Sequence, residues 1–196
     1  PIFAAALGIG CGSDLFIAAV NLLPLGDVDV SGGALCGGGS VNGTSRGRLV
    51  ARGQLNADAD VGVVSGEIEL RATDLDVEGS LHADGLNGGV GGLVTLHGCT
   101  LSMASGARVS TMGEGGTDTL SANGPMVVAG VLLAGKTNLL RLPAPGFLDL
   151  TGSSFAPPPV VEDEVAVGPC IPPTTTMTST TSSTTSTSST STSTPF

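Results

Sequence analysis

Apolar side chains alternate with small or polar ones in short runs along most of this chain. The clearest unit is residues 66–89, which holds three such runs, and residues 13–33 and 92–116 repeat it. The unit at 13–33 aligns with the clearest unit without a gap, and this alignment pairs Leu22 with Leu75. Runs of three to five residues with a period of two are typical of β-strands, and the i, i+3, i+4 spacing of a helix is absent. Each unit is therefore predicted to contain three short strands.

The unit recurs at a nearly constant interval. Gly26, Gly53, Gly79 and Gly106 are almost evenly spaced, and each precedes the third run of a unit. A repeat of this length is typical of a solenoid, in which a coil buries its apolar face only by stacking on its neighbours. The sequence thus predicts an all-β fold, a single-stranded parallel β-helix with about 26 residues per coil and strands about 4.8 Å apart.

The predicted register also says which charged side chains are neighbours on adjacent coils. An offset of one coil places Asp74 beside Arg48 and Glu78 beside Arg52. Opposite charges on adjacent strands contribute about 0.2–1 kcal/mol per pair. Coincidence is the alternative, in a chain with seven basic residues.

Composition divides the chain into four parts. Residues 1–12 are apolar and form either the edge of a first coil or the remnant of a secretory signal, and residues 13–155 form the β-helix. Closely spaced prolines define a connector at 156–173. The remaining Ser/Thr-rich segment, 174–196, cannot form a core and is expected to be disordered or extended, as a plain linker or an O-glycosylated stalk.

Charge and residue usage narrow the partners. The net charge of −10 disfavours nucleic acid and anionic lipid, both of which need a basic surface. No apolar run is long enough to predict a transmembrane span. Tryptophan and tyrosine are absent, so the core is expected to consist of ladders of Leu, Val, Ile and Ala.

The four cysteines predict disulfides rather than a metal site. Cys11, Cys36, Cys99 and Cys170 contain no CxxC pair. Cys11 and Cys36 are about one period apart, which places their Cα atoms within the ~4.4–6.8 Å that a disulfide spans. A second bond from Cys99 to Cys170 would tie the proline segment to the solenoid. The cysteines and the tail together predict an extracellular location. The stretch LGIGCGSD also loosely resembles a lipoprotein processing site, so lipidation of Cys11 is an alternative.

Acidic residues cluster in the second and third coils. The spacing Asn56-x-Asp58-x-Asp60 is similar to the start of a calcium loop, but the glycine that an EF-hand needs at its sixth position is missing. The register stacks Asp58 beside Asp84, where two carboxylates repel unless a cation, a proton or water lies between them. A solvated acidic face and a weak calcium site at Asp58, Asp60 and Asp84 are both open. No other cofactor is expected.

Catalytic residues are not evident. Asn56-Ala57-Asp58 resembles the NxD motif of polygalacturonases, but the Asp pair, the Gly-His-Gly and the Arg-x-Lys that accompany it there are missing. His82 and His97 follow inward-facing leucines and are predicted to point outward as surface residues. No enzyme activity is therefore expected.

Three-strand coils with glycine-rich corners, as in GSLHADGLNGGVGG, resemble the right-handed β-helix passengers of bacterial secreted adhesins and autotransporters, whose architecture is similar to that of pectin lyases. The resemblance covers residues 13 to about 155. It implies a secreted or cell-surface protein with a structural or adhesive role, and surface glycans or like subunits as partners. Two alternatives are a polysaccharide lyase or hydrolase that depends on Asp58 or Asp84, and a subunit that stacks end to end into filaments through its exposed sheet edges.

Overall fold

A computed structural model describes residues 11–33, 36–60, 62–143 and 147–163. The chain is wound into a β-solenoid of parallel strands, with a short 3-10 turn at Leu86–Gly88. The predicted all-β fold with stacked coils is therefore confirmed. Within the described part of the chain, no helix is long and apolar enough to cross a membrane. The predicted Ser/Thr-rich tail and residues 1–10 lie outside the described residues.

Each coil contributes strands to three faces of the solenoid. Face 1 consists of β1 (Leu15–Ala19), β4 (Ser40–Ser45), the first half of β7 (Glu67–Val77), the first half of β9 (Leu93–Met103), β11 (Thr117–Ala122), β14 (Thr137–Leu142) and β17 (Val160–Asp163). Face 2 consists of β2 (Leu22–Leu25), β5 (Arg48–Ala51), the second halves of β7 and β9, β12 (Met126–Val128) and β15 (Leu148–Asp149). Face 3 consists of β3 (Val28–Asp29), β6 (Gln54–Asn56), β8 (Ser80–His82), β10 (Arg108–Thr111), β13 (Val131–Ala134) and β16 (Ser154–Ala156).

The coils are numbered in chain order. Coil 1 contains β1–β3, coil 2 β4–β6, coil 3 β7 and β8, coil 4 β9 and β10, coil 5 β11–β13, and coil 6 β14–β16. Strand β17 then begins a further coil by pairing in parallel with β14. Among the described residues the stack runs to Asp163, so the last two strands described lie at and beyond residue 155.

The core is a set of aliphatic ladders that run along the solenoid axis. On face 3, Val28, Leu55, Leu81, Val109 and Leu132 pair from one coil to the next, and each is at most 2% exposed. The predicted contact between Leu55 and Leu81 is therefore confirmed. A fully buried aliphatic side chain of this kind contributes about 1.5–3 kcal/mol. Such ladders fill the interior without tryptophan or tyrosine.

The gap-free alignment of coils 1 and 3 is wrong on face 2. Leu22 pairs with Arg48, whereas Leu23 pairs with Leu49, which in turn pairs with Leu75. Leu22 is accordingly 56% exposed, and Leu23 is buried. Successive side chains on a strand point to opposite sides, so a shift of one residue moves a side chain from the core to solvent.

The glycine series is also interrupted once. A Cβ on Gly53 would overlap the backbone of Gly26, and one on Gly79 would overlap that of Gly53. Nothing lies within 4 Å of the same position on Gly106. The residue in register with Gly79 is Ala107, because the strand that follows it pairs Arg108 with Ser80. Gly106 lies in an inserted turn, so its agreement with the regular glycine spacing is not a structural equivalence.

The corner that joins face 3 to face 1 changes along the chain. Ten residues separate these faces in each of coils 1, 2 and 3, and then five, two and three residues separate them in coils 4, 5 and 6. The number of residues from one register partner on face 1 to the next decreases accordingly, so Asp118 and Asn138 are closer in sequence than Leu15 and Val41. The sequence of coils 5 and 6 departs from the regular repeat because their corners are short. The strands of these coils still stack on those of the coils before them.

Candidate functional site

The acidic corner of coils 2 and 3 is centred on Asp84. The amide of Asp84 donates to Oδ1 of Asp58 at 2.7 Å, so the two residues are neighbours as predicted. The carboxylate of Asp84 points into the next coil, where its Oδ1 accepts from Ser110 Oγ at 2.7 Å and from the Met112 amide at 2.6 Å. Asp84 is only 6% exposed. The interpretation as a solvated acidic face is therefore wrong for Asp84, which holds two coils together.

The two aspartates have opposite pKa shifts. Burial acts to raise the pKa of Asp84, but hydrogen bonds from His82, Ser110 and the Met112 amide outweigh it, and the pKa is lowered. Burial raises the pKa of Asp58, despite the hydrogen bond that it accepts from the Asp84 amide. Asp84 therefore acts as a buried carboxylate that its donors keep ionised.

The calcium hypothesis involves Asp60 as well. Oδ1 of Asp60 accepts from Asn87 Nδ2 at 3.1 Å, across the same pair of coils. Among the described residues, no three His, Cys, Asp or Glu side chains converge as metal ligands. A calcium site at Asp58, Asp60 and Asp84 stays a prediction.

Charge pairs follow the register with one difference. Arg52 Nε lies 2.9 Å from Glu78 Oε2, as predicted. Arg48 has Asp74 as its register partner, but its Nε forms the ion pair with Asp76 Oδ2 at 2.6 Å. Asp74 and Asp76 lie on the same outer side of β7, so the guanidinium reaches the diagonal neighbour. Exposed pairs of this kind contribute about 0–1 kcal/mol each.

The cysteines support the predicted disulfide at the amino-terminal end. Cys11 and Cys36 are bonded, with their Cα atoms 4.6 Å apart. The neighbouring amide of Gly12 donates to the carbonyl of Gly37 at 3.1 Å, which keeps the same two segments in register. Cys99 is also disulfide-bonded. Its predicted partner, Cys170, lies outside the described residues.

A cleft of about 210 Å³ lies on the outer side of face 1. Four of its side chains form one row across β7, β9, β11 and β14, with each in register with the next: Arg71, His97, Ser121 and Arg141. A second row contains Thr95 and Thr119, and Asn123 completes the polar lining. His97 points outward, as the sequence predicts, and it is half-buried because it lies inside this cleft.

The charges around this cleft are balanced. Arg71 is paired with Glu69 on the same strand, and Arg141 Nε lies 3.2 Å from Glu162 Oε2. Each guanidinium therefore has an acidic neighbour, while the hydroxyls of Thr95 and Thr119 add groups that both donate and accept. A lining of this kind suits a neutral, hydroxyl-rich ligand better than a highly charged one. We call the cleft that these side chains line the face-1 cleft.

A shallower groove of about 480 Å³ follows the corner before face 1. Its floor is formed by Gly39, Gly66 and Gly92. These glycines stack so closely that a side chain at Gly66 or Gly92 would overlap the carbonyl of the glycine one coil earlier. Those carbonyls already accept hydrogen bonds, for example from the amides of Glu67 and Leu93. The glycines therefore serve the close stacking of the coils.

Sequence reasoning missed a buried polar pair, Asp118 and Asn138. Both are fully buried, at inward positions of β11 and β14. An alignment with a fixed period does not reveal them, because the step from Asp118 back to its partner Val94 is shorter than that period. The alternation of Asp118 with Leu120 and Ala122 is the signal that could have identified Asp118 as inward.

No protein-family model matches this chain, and neither a curated protein nor a solved structure matches it. The assignment of the β-solenoid fold therefore depends on the strand pairing and the core ladders. The resemblance to bacterial adhesins and autotransporters stays a prediction.

Proposed function

We propose that this protein is a structural and adhesive module of an extracellular or cell-surface setting, and that it binds a neutral, hydroxyl-rich polymer, such as a surface glycan, through the face-1 cleft. The observation that carries the proposal is the ladder in this cleft, in which guanidinium, imidazole and hydroxyl groups occur in register on four adjacent strands. Parallel strands fix these groups at regular intervals, so a polymer along the axis meets hydrogen-bonding groups at every coil.

The scaffold supports a role in display rather than one that needs large movements. Aliphatic ladders and continuous strand pairing join the coils along the stack. The outer side of each strand is then free to present polar groups without a cost to the core. The Cys11–Cys36 disulfide is consistent with the proposed oxidising environment, since such bonds persist mainly outside the reducing cytosol.

Glycan binding can be tested with one matched pair of variants. Thr119→Val removes a hydroxyl from the cleft and keeps a β-branched side chain, and Thr100→Val makes the same change on face 2. One lost hydrogen bond is worth about 1 kcal/mol, so we expect Thr119→Val to weaken binding about fivefold. Thr100→Val should bind like the wild-type protein. The measurement is a glycan array followed by titration of the glycans that bind.

Two outcomes would contradict the proposal. The first is an array of neutral and charged glycans without any binding by the wild-type chain. The second is the same loss of binding in both variants, which would place the ligand away from the cleft. Assaying the bound polymers for new reducing ends separates binding from the alternative, a polysaccharide-cleaving enzyme, because an adhesive module leaves the polymer intact.

A further inference from the structure

Two polar side chains interrupt one aliphatic ladder in the core of the solenoid. The first inward position of face 1 is occupied in successive coils by Leu15, Val41, Ile68, Val94, Asp118 and Asn138. Both Asp118 and Asn138 are 0% exposed. They are Cα partners on β11 and β14, so their side chains are direct neighbours on the core side of the sheet. A buried polar residue of this kind has to find partners inside the protein.

Half of the polar atoms of this pair have partners. Oδ1 of Asp118 accepts from Thr111 Oγ1 at 2.9 Å, and Nδ2 of Asn138 donates to the carbonyl of Pro157 at 2.6 Å. Oδ2 of Asp118 and Oδ1 of Asn138 are also buried, and neither has a hydrogen-bond partner among the described residues. Each such group costs about 1–3 kcal/mol if it is left unsatisfied.

The orientation of the Asn138 amide is fixed by chemistry. The carbonyl of Pro157 can only accept, so the amide NH₂ group has to face it. With the NH₂ group on Pro157, the oxygen of Asn138 is the atom left for an interaction with Asp118, its Cα partner one coil earlier. An ionised Asp118 has only acceptors, and two acceptors that meet in a dry core repel each other. One proton on Oδ2 of Asp118 would turn this repulsion into a hydrogen bond.

We propose that Asp118 is a neutral carboxylic acid whose proton is donated to Oδ1 of Asn138, and that this pair is a proton-binding site that makes the attachment of the last coils pH-dependent. The pair joins β11 to β14, and Asn138 also holds the segment just before β17 through Pro157. Loss of the proton therefore weakens the attachment of coil 6 and β17 before it affects coils 1–4.

The surroundings favour the neutral form. Burial is the largest cause and raises the pKa of Asp118 to about 7, although the hydrogen bond from Thr111 opposes it. The negative charge of Asp84, in coil 3, raises the pKa of Asp118 further.

The basic residues of the strands around Asp118 are at outward positions. His97 of β9 and Arg141 of β14 lie in the outer cleft, and Arg108 of β10, whose Nε is buried, alternates with the inward Val109. Strand β13 contains only apolar residues. Among the described residues, Asp84 is thus the charged group that acts on Asp118 from within, and it has the same sign.

The direction of the pH effect follows from the two states. The folded protein holds a proton on Asp118 that the unfolded chain releases above its ordinary pKa of about 4. The resulting stabilisation is complete below that pH and is lost as the pH rises to about 7, the folded value. Above that value, the contribution no longer changes.

The decisive variant is Asp118→Asn in the full chain. An amide in this position has nearly the same shape, accepts from Thr111 through its oxygen and donates permanently to Oδ1 of Asn138. We expect the denaturant midpoint of the wild-type protein to fall between pH 5 and pH 8.5, and that of Asp118→Asn to lose most of this fall. The control is Asp149→Asn, at an exposed acid on β15, which should keep the wild-type fall.

The wild-type chain provides a second measurement that does not depend on a variant that folds. Carbon NMR of the Asp118 carboxyl should show the protonated form at pH 5.5 and a titration near neutral pH. Amide hydrogen exchange, corrected for intrinsic rates, should become faster in β14 at pH 8.5 and stay unchanged in β4. An Asp118 that is ionised at pH 5, or the same pH dependence in the wild-type protein and Asp118→Asn, would overturn the proposal.

Discussion

Asp84 shows how one residue can join three coils through its backbone amide and its side chain. Its amide donates to Asp58 in coil 2, and its carboxylate accepts from Ser110 and from the Met112 amide in coil 4. His82 Nδ1 lies 3.5 Å from its second oxygen. The carboxylate thus supplies acceptors where the backbone leaves the regular ladder of face 3. This arrangement explains why an acid is buried in a corner that is rich in glycine.

Removing the Asp84 carboxylate should be costly. In Asp84→Ala, the buried hydroxyl of Ser110 and the amide of Met112 lose their acceptor, at about 1–3 kcal/mol for each unsatisfied group. We expect a loss of about 2–4 kcal/mol in the free energy of unfolding, measured by denaturant titration at pH 7. Asp74→Ala is the control, because Asp74 is exposed and accepts from Thr100 Oγ1 on the outer surface. Equal losses in the two variants would contradict this account.

At the scale of the element, corners rather than strands set the length of each coil. The strands of face 1 pair in continuous register, whereas the corner before them contains ten residues in coils 1–3 and two or three in coils 5 and 6. The ten-residue corners close tightly, because the amide of Gly66 donates to the Ala57 carbonyl and that of Gly92 donates to the Ala83 carbonyl. Glycine at the end of the corner lets consecutive coils approach closely.

Two alanine substitutions test whether glycine at the end of the corner is needed for the close stacking of the coils. In Gly66→Ala, the new Cβ would overlap the Gly39 carbonyl oxygen, whereas in Gly106→Ala it would meet open space. Overpacking of this kind costs about 1–3 kcal/mol or more, so we expect the first variant to unfold at a clearly lower temperature. The second should stay within about 0.5 kcal/mol of the wild-type protein. Calorimetry of both variants checks this, and a stable Gly66→Ala would show that the corner can widen.

At the scale of the molecule, a disulfide and a buried polar pair join neighbouring coils in different parts of the described stack. The Cys11–Cys36 disulfide joins the segment before β1 to the corner before β4, while the buried Asp118 and Asn138 lie in coils 5 and 6. In a stack where each coil contacts mainly its neighbours, stability is approximately a sum of coil and interface contributions. A substitution near one end of the stack should therefore destabilise the coils at that end first.

Loss of the first disulfide tests this locality. Cys11→Ser/Cys36→Ser removes a cross-link with a sequence separation of 25 residues, for which loop entropy gives about 3 kcal/mol. We expect hydrogen exchange to accelerate in β1 and β4 and to change little in β11 and β14. Uniform acceleration along the whole stack would instead show that the solenoid unfolds as a single cooperative unit.

Much of the architecture could be predicted because it is periodic. The alternation of apolar and polar residues identified the strands, and the regular interval between units placed Leu55 under Leu81 and Glu78 beside Arg52. The spacing of Cys11 and Cys36 indicated their disulfide. Each of these depends on the pattern within a coil and on one nearly constant step.

The sequence alone therefore determined the solenoid, its strands and its approximate period, since these depend on local alternation. Only the tertiary structure decided that Leu22 faces solvent, that Arg48 pairs with Asp76, and that Asp118 and Asn138 meet in the core. The physical reason is that corners gain or lose residues freely, while every added or deleted residue in a strand reverses the side to which the following side chains point. Which polar groups are buried together is fixed only when the coils have stacked.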